Sequence, residues 1–249
     1  NGTALTQEGN TTSWKTTTAI TANAGSQINL DGTFSRASFD RFTNNSGNPL
    51  NITGTLLNAG PALIINSQTG DVQISSGGII DSGIIQTANG KQLLANSGTL
   101  NNVTLDTDMT LSNDTLSITG NLTLNAGRSL NLNGSSQLYF NSANASLLRG
   151  GSGTANVVFG SDVSSASTNS IYNNNGTAGN VLTLGAGVSV GGASSLQNGQ
   201  IISNYGSSAI TNQGTITAGT AGRTVTLSAY PFTNDITGSL VVSSGATMT

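Results

Sequence analysis

From Val103 onward, apolar residues come in short alternating pairs: Val103 and Leu105, Met109 and Leu111, Leu116 and Ile118, Leu122 and Leu124, Leu130 and Leu132, Leu138 and Phe140. An apolar-x-apolar pair has the period of a strand with one face inward and one outward. Leu124 is thus an inward position and Thr123 an outward one. Consecutive pairs start six to eight residues apart, with Asn, Gly, Ser or Asp between them. That is tight for sandwich strands, which recur at about 8–12 residues. It suits short strands on successive sides of a coil. Third neighbours are separated by 19 (Val103 to Leu122), 21 (Met109 to Leu130) and 22 residues (Leu116 to Leu138). The spacing predicts an all-β parallel β-helix (β-solenoid), three-sided, with coils of about 20 residues stacked at roughly 4.8 Å.

A second pattern supports the same reading. Leu122-x-Leu124-x-x-Gly127-x-x-Leu130 has the form of Leu182-x-Leu184-x-x-Gly187-x-x-Val190, Val72-x-Ile74-x-x-Gly77-x-x-Ile80 and Leu240-x-Val242-x-x-Gly245-x-x-Met248. A sharp corner between strands favours positive φ, which Gly adopts without steric cost. Internal repetition of short strands is the mark of a solenoid. Helix formers are sparse; the Thr, Asn, Ser and β-branched residues that dominate disfavour helices. One short helix is expected within Phe34–Phe42, with Ser35 as N-cap. Residues 1–48 read as an N-terminal cap or docking region, and 49–249 as the solenoid, with Pro49 at the boundary.

Composition narrows the functional classes. Of 249 residues only 7% are charged and 4% aromatic, while 35% are hydrophobic and three are Pro. This is too apolar for a charge-expanded disordered chain and enough for a thin core. Cys and His are both absent, which removes disulfides, thiolates and the usual zinc or copper ligands. A solenoid tolerates that, because each coil is held by its neighbours. A net charge of −3 with seven Lys and Arg argues against nucleic acid as a partner. No apolar run approaches the roughly 20 residues needed to span a bilayer, so no membrane insertion is expected. The chain starts at Asn1 without a charged-then-apolar leader, as a processed form does.

Candidate chemistry is thin. Asp106, Asp108 and Asp114 form the densest acidic group and fit strand corners better than a cation site. The one Glu, Glu8, provides no facing carboxylate pair for glycosidase chemistry. The segment from Gly150 to Asn156 has Ala155 where a calcium-binding nonapeptide repeat needs Asp. Thr-x-Thr pairs (Thr215 and Thr217, Thr224 and Thr226, Thr247 and Thr249) are too irregular for an ice-binding ladder. The Asn-x-Ser/Thr sequons at Asn51, Asn102, Asn121 and Asn144 are expected by chance in this composition. No catalytic, metal or cofactor residue is assigned, and the chain is read as a non-enzyme.

The stretch 98–134, with 180–192 and 236–249, resembles the β-strand repeats of bacterial extracellular proteins: autotransporter passengers and filamentous-haemagglutinin-like adhesins. The resemblance implies a right-handed β-helix on or outside a bacterial cell, and an architecture rather than an activity. The expected function is a structural subunit of an extracellular filament, sheath or matrix. A cell-surface adhesin for glycan or host surface is the alternative, its mark an exposed aromatic platform among Tyr139, Tyr172, Tyr205 and Tyr230. A polysaccharide-cleaving β-helix ranks third. The expected partner is the chain itself, head to tail. The subunit interface is assigned to Trp14, Phe34, Arg36, Phe39, Arg41 and Phe42 at one end and Leu240, Val242 and Met248 at the other. A chain cut from a longer solenoid would show the same open register near Met248.

Overall fold

A computed structural model describes residues 4–7, 13–160, 167–204, 208–229 and 231–249. The chain is an all-β parallel β-solenoid of about 10 turns, with about 23 residues per turn. It divides into two compact units, 1–107 and 108–249.

In the first unit each coil contributes up to three strands. One ladder joins Ala4–Gln7, Gln27–Leu30, Leu50–Ile52, Val72–Ile74 and Leu93–Ala95, all parallel. A second joins Ser13–Trp14, Thr33–Ser35, Thr55–Leu57, Ile79–Asp81 and the start of Thr99–Leu105. On the remaining side Ile20–Ala22 pairs with Phe42–Asn44, and Leu63–Ile65 with Ile84–Thr87, which continues to the end of Thr99–Leu105. Gln27–Leu30 and Thr33–Ser35 thus continue into Leu50–Ile52 and Thr55–Leu57 by the same in-register pairing, Ile28 opposite Leu50 and Phe34 opposite Leu56.

The second unit repeats the scheme. Its first ladder is Met109–Ser112, Ser129–Asn133, Ala155–Phe159, Val188–Gly192, Thr215–Ala218 and Ser239–Val242. Its second starts in Thr115–Asn125 and runs through Gln137–Phe140, Thr168–Asn173, Asn198–Ser203, Thr224–Ser228 and Thr247–Met248. Its third takes the end of Thr115–Asn125, then Ser146–Gly150, Val181–Leu184, Ala209–Asn212 and Phe232–Asn234.

Alternation sets the core. Met109, Leu130 and Val157 stack in register and are buried, as are Leu116, Leu138 and Ile171. Leu124 is 1% exposed, while Thr123 faces outward and is half-buried. Coil length departs from the expected 20 in the second unit. From 130 to 157 there are 27 residues, from 157 to 190 there are 33, and from 147 to 184 there are 37. The periodicity legible in 98–134 comes from coils close to that length, with 21 residues from 109 to 130 and 22 from 116 to 138; bends and turns at 142–144, 151–153 and 177–179 lie in the longer coils that follow.

The corners explain the composition. Gly77, Gly127, Gly187 and Gly245 all have φ between 77° and 84°. In each case an i+3 to i backbone bond closes the turn, Gly78 to Ser75, Arg128 to Asn125, Val188 to Gly185 and Ala246 to Ser243, the geometry of a type II turn. The Gly motif is therefore a corner unit, used at more than one corner of the coil, rather than a whole-coil repeat. Asn supplies the other corners: Asn44, Asn66, Asn175 and Asn212 each accept the amide of the residue two positions on, at 2.8–3.2 Å. These local bonds are why Asn favours turns.

Candidate functional site

The aromatic residues of the N-terminal segment pack on one another within the first unit. Trp14 stacks on Phe34, its register partner, with centroids 4.8 Å apart and planes at 21°. Phe42 meets Trp14 edge-on at 6.4 Å and 77°. The indole Nε1 donates to the Asp31 carbonyl at 2.6 Å. A four-residue helix, Arg36–Phe39, follows, and Ser35 caps it by accepting the Ser38 amide. The helix turns Phe39 inward, so Phe34, Phe39 and Phe42 are at most 1% exposed. These three phenylalanines belong to the interior and present no surface to a second subunit. Trp14 is half-buried and Arg41 exposed. Arg36 pairs with Asp40 at 2.7 Å and donates to the Pro61 carbonyl at 3.4 Å, tying the helix to the next coil.

At the other assigned end, apolar residues of the inward phase are open to solvent. Leu240 aligns with Ile216 and Val242 with Ala218. Ile216 and Ala218 are 0% and 2% exposed, whereas Leu240 and Val242 are 42% and 53% exposed. Ile236 and Val241 are also exposed, and Met248 is half-buried opposite Val225. The strand Ser239–Val242 pairs with Thr215–Ala218 on one side; among the described residues no strand pairs with its other edge.

The carboxylates serve local structure. Asp106 accepts Gln86 Nε2 at 2.8 Å, Asp108 accepts the Ser129 amide at 2.8 Å, and Asp114 accepts the Thr115 amide at 2.7 Å. Among the described residues no three His, Cys, Asp or Glu gather as metal ligands, and no helix is long and apolar enough to cross a membrane. Glu8, Tyr205 and Tyr230 lie outside the described residues. Two of the Thr-x-Thr pairs stack in register, Thr224 opposite Thr247 with Thr226 bonded to Thr249 at 3.2 Å.

Tyr139 and Tyr172 occupy outward positions of the second ladder and stack, with centroids 4.5 Å apart and planes at 16°. Partial burial, then the neighbouring Tyr172, push the Tyr139 hydroxyl above the ordinary tyrosine range. The pairing was hidden in the sequence because 33 residues, from 139 to 172, separate the two. The outward phase of Tyr139 was visible, between inward Leu138 and Phe140.

No protein-family model, curated protein or solved structure matches the chain.

Proposed function

We propose that this chain is a non-catalytic structural subunit of an extracellular filament, sheath or matrix that grows by stacking coil on coil. The observation behind the reading is the register of the coils: Val188–Gly192, Thr215–Ala218 and Ser239–Val242 pair in parallel, residue for residue. A strand edge is a template for another strand of the same geometry, and a second copy of the chain carries strands of that geometry. A head-to-tail contact of this kind is heterologous and does not close, so it propagates. The bacterial surface is the setting that the strand-repeat resemblance suggests, and a low-charge, cysteine-free chain suits it.

Electron micrographs of the purified protein over a range of concentrations test this. Filaments of one coil width are expected to lengthen with concentration, and isolated short particles at every concentration would overturn the proposal. A second reading, a cell-surface adhesin for glycan, is favoured by the stacked Tyr139–Tyr172 pair. The two are compatible, since a surface filament can carry a ligand-binding face.

A further inference from the structure

We infer that the outward face of the second ladder in the 108–249 unit binds an uncharged polysaccharide, centred on the Tyr139–Tyr172 stack. Binding at this face does not depend on head-to-tail assembly. Five strands build it: 115–118, Gln137–Phe140, Thr168–Asn173, Asn198–Ser203 and Thr224–Ser228. None carries Asp, Glu, Lys or Arg.

The outward side chains lie in register in parallel rows. One row is Ser117, Tyr139, Tyr172, Ile202 and Ser228; beside it run Thr115, Gln137, Gln200 and Thr226, while Ser170 of the same row is buried and takes a hydrogen bond from Gln200. A third row is an amide ladder: Asn174 donates to Asn141 at 2.7 Å, and Asn204 to Asn174 at 2.6 Å. The surface therefore offers amides, hydroxyls and one aromatic pair, repeated at the strand spacing.

The aromatic pair is asymmetric. Tyr172 covers one face of the Tyr139 ring, but the ladder neighbour on its other side is Ser117, whose short side chain covers little of it. That leaves an apolar ledge with a hydroxyl floor. A pyranose ring is the matching solid, apolar across its C–H face and polar at its hydroxyl rim. The ledge is also held before any ligand arrives. Tyr139 donates to Gln137 Oε1 at 3.0 Å, and Gln200 Nε2 donates to Ser170 Oγ at 2.7 Å and to the Tyr172 hydroxyl at 3.4 Å. Side chains locked beforehand lose little entropy on binding.

Charge complementarity selects the occupant. A uronic, sulfated or phosphate-bearing polymer needs cationic partners, and these strands have none. A protein partner needs a desolvated apolar centre, and the one large aliphatic side chain in the two strand rows is Ile202. An uncharged polyol matches the amides, the accessible hydroxyls and the tyrosine pair.

Native affinity electrophoresis of the full chain tests this, with hydroxyethylcellulose, laminarin or glycogen in the gel and hyaluronan as the charged comparison. At least one neutral polymer is expected to retard the protein, and hyaluronan is not. Tyr139→Ala weakens retardation about tenfold, the equivalent of one lost ring contact. Ser117→Ile fills the ledge while keeping both rings, and has the same effect even if Tyr139→Ala fails to fold. Thr183→Ala, on the third ladder, leaves retardation unchanged. Free migration in all three neutral polymers overturns the inference. So does stronger retardation by hyaluronan, or full retention in Ser117→Ile.

Discussion

Leu130 is the sharpest place to perturb the column. Its side chain is 0% exposed and stands in register between Met109 and Val157, themselves 2% and 0% exposed. Truncation to Ala removes buried methyl groups and leaves a cavity, which costs about 2–5 kcal/mol. The upper half of that range applies here. Backbone hydrogen bonds between coils hold Met109 and Val157 at strand spacing, so neither can settle into the gap. Asn131, the next residue, faces outward and is half-buried. Its side chain makes a long 3.4 Å hydrogen bond to Thr110 Oγ1, so Asn131→Ala should cost within about 0.5 kcal/mol. With an m-value of about 3 kcal/mol per M of urea, the top of the small-protein range because m grows with chain length, the Leu130→Ala midpoint falls by on the order of 1–2 M. The Asn131→Ala midpoint stays near that of the parent. Far-ultraviolet circular dichroism follows the transition, because the strands themselves are lost. Equal shifts at the two positions would refute the strand phase and the coil register built on it. Leu124 is a poorer probe, because its register partner is Arg149, and a polar substitute there gains a cationic neighbour.

Three further outcomes follow from named contacts. A Cβ added at Gly127 (φ 81°) would point into open space, whereas one at Gly199 would run into the Phe159 ring. Gly127→Ala should therefore cost about 1 kcal/mol of backbone strain, and Gly199→Ala about 1–3 kcal/mol of overpacking, read as melting shifts. Asn212 is fully buried, accepts the Gly214 amide at 3.2 Å and donates to Asn234 at 2.7 Å; Asn212→Leu strands that amide and should lower stability by about 1–3 kcal/mol, measured by urea titration. Tyr139 keeps its proton above the ordinary tyrosine range, through burial first and Tyr172 second. A raised folded-state value means that its contribution is complete below the unfolded value and is lost as pH climbs through the folded one. Alkaline absorbance titration should show Tyr139 ionising late, and Tyr172→Phe should bring that step earlier.

Much of the fold was legible because short strands keep strict alternation. Met109 opposite Leu130 and Leu116 opposite Leu138 are the pairings that spacing predicted, and both form. Ser35 caps the helix expected of it, and the four motif glycines sit at positive φ. What spacing missed has physical reasons. The third ladder carries Leu122 to Leu147 and then to Leu184, because turns inserted between strands lengthen a coil without changing its register. Asn169, Asn173 and Asn212 look like turn residues, yet they are buried and donate hydrogen bonds to the next coil. Phe34, Phe39 and Phe42 read as a surface cluster because aromatics beside Arg resemble an interface. The short helix instead folds them inward and leaves Trp14 and the arginines near the surface.

Sedimentation velocity of the full chain across a wide concentration range, beside the Leu240→Lys/Val242→Lys double variant, tests head-to-tail stacking most directly. Lysines on that rung place charge where a covering coil would have to desolvate it, and they perturb a surface already open to solvent. The account predicts that the parent's sedimentation coefficient rises steadily with concentration, while the variant keeps a single monomer boundary and its parent melting temperature. A parent that sediments as one monomeric species at every concentration, or a variant that assembles as readily as the parent, would contradict it.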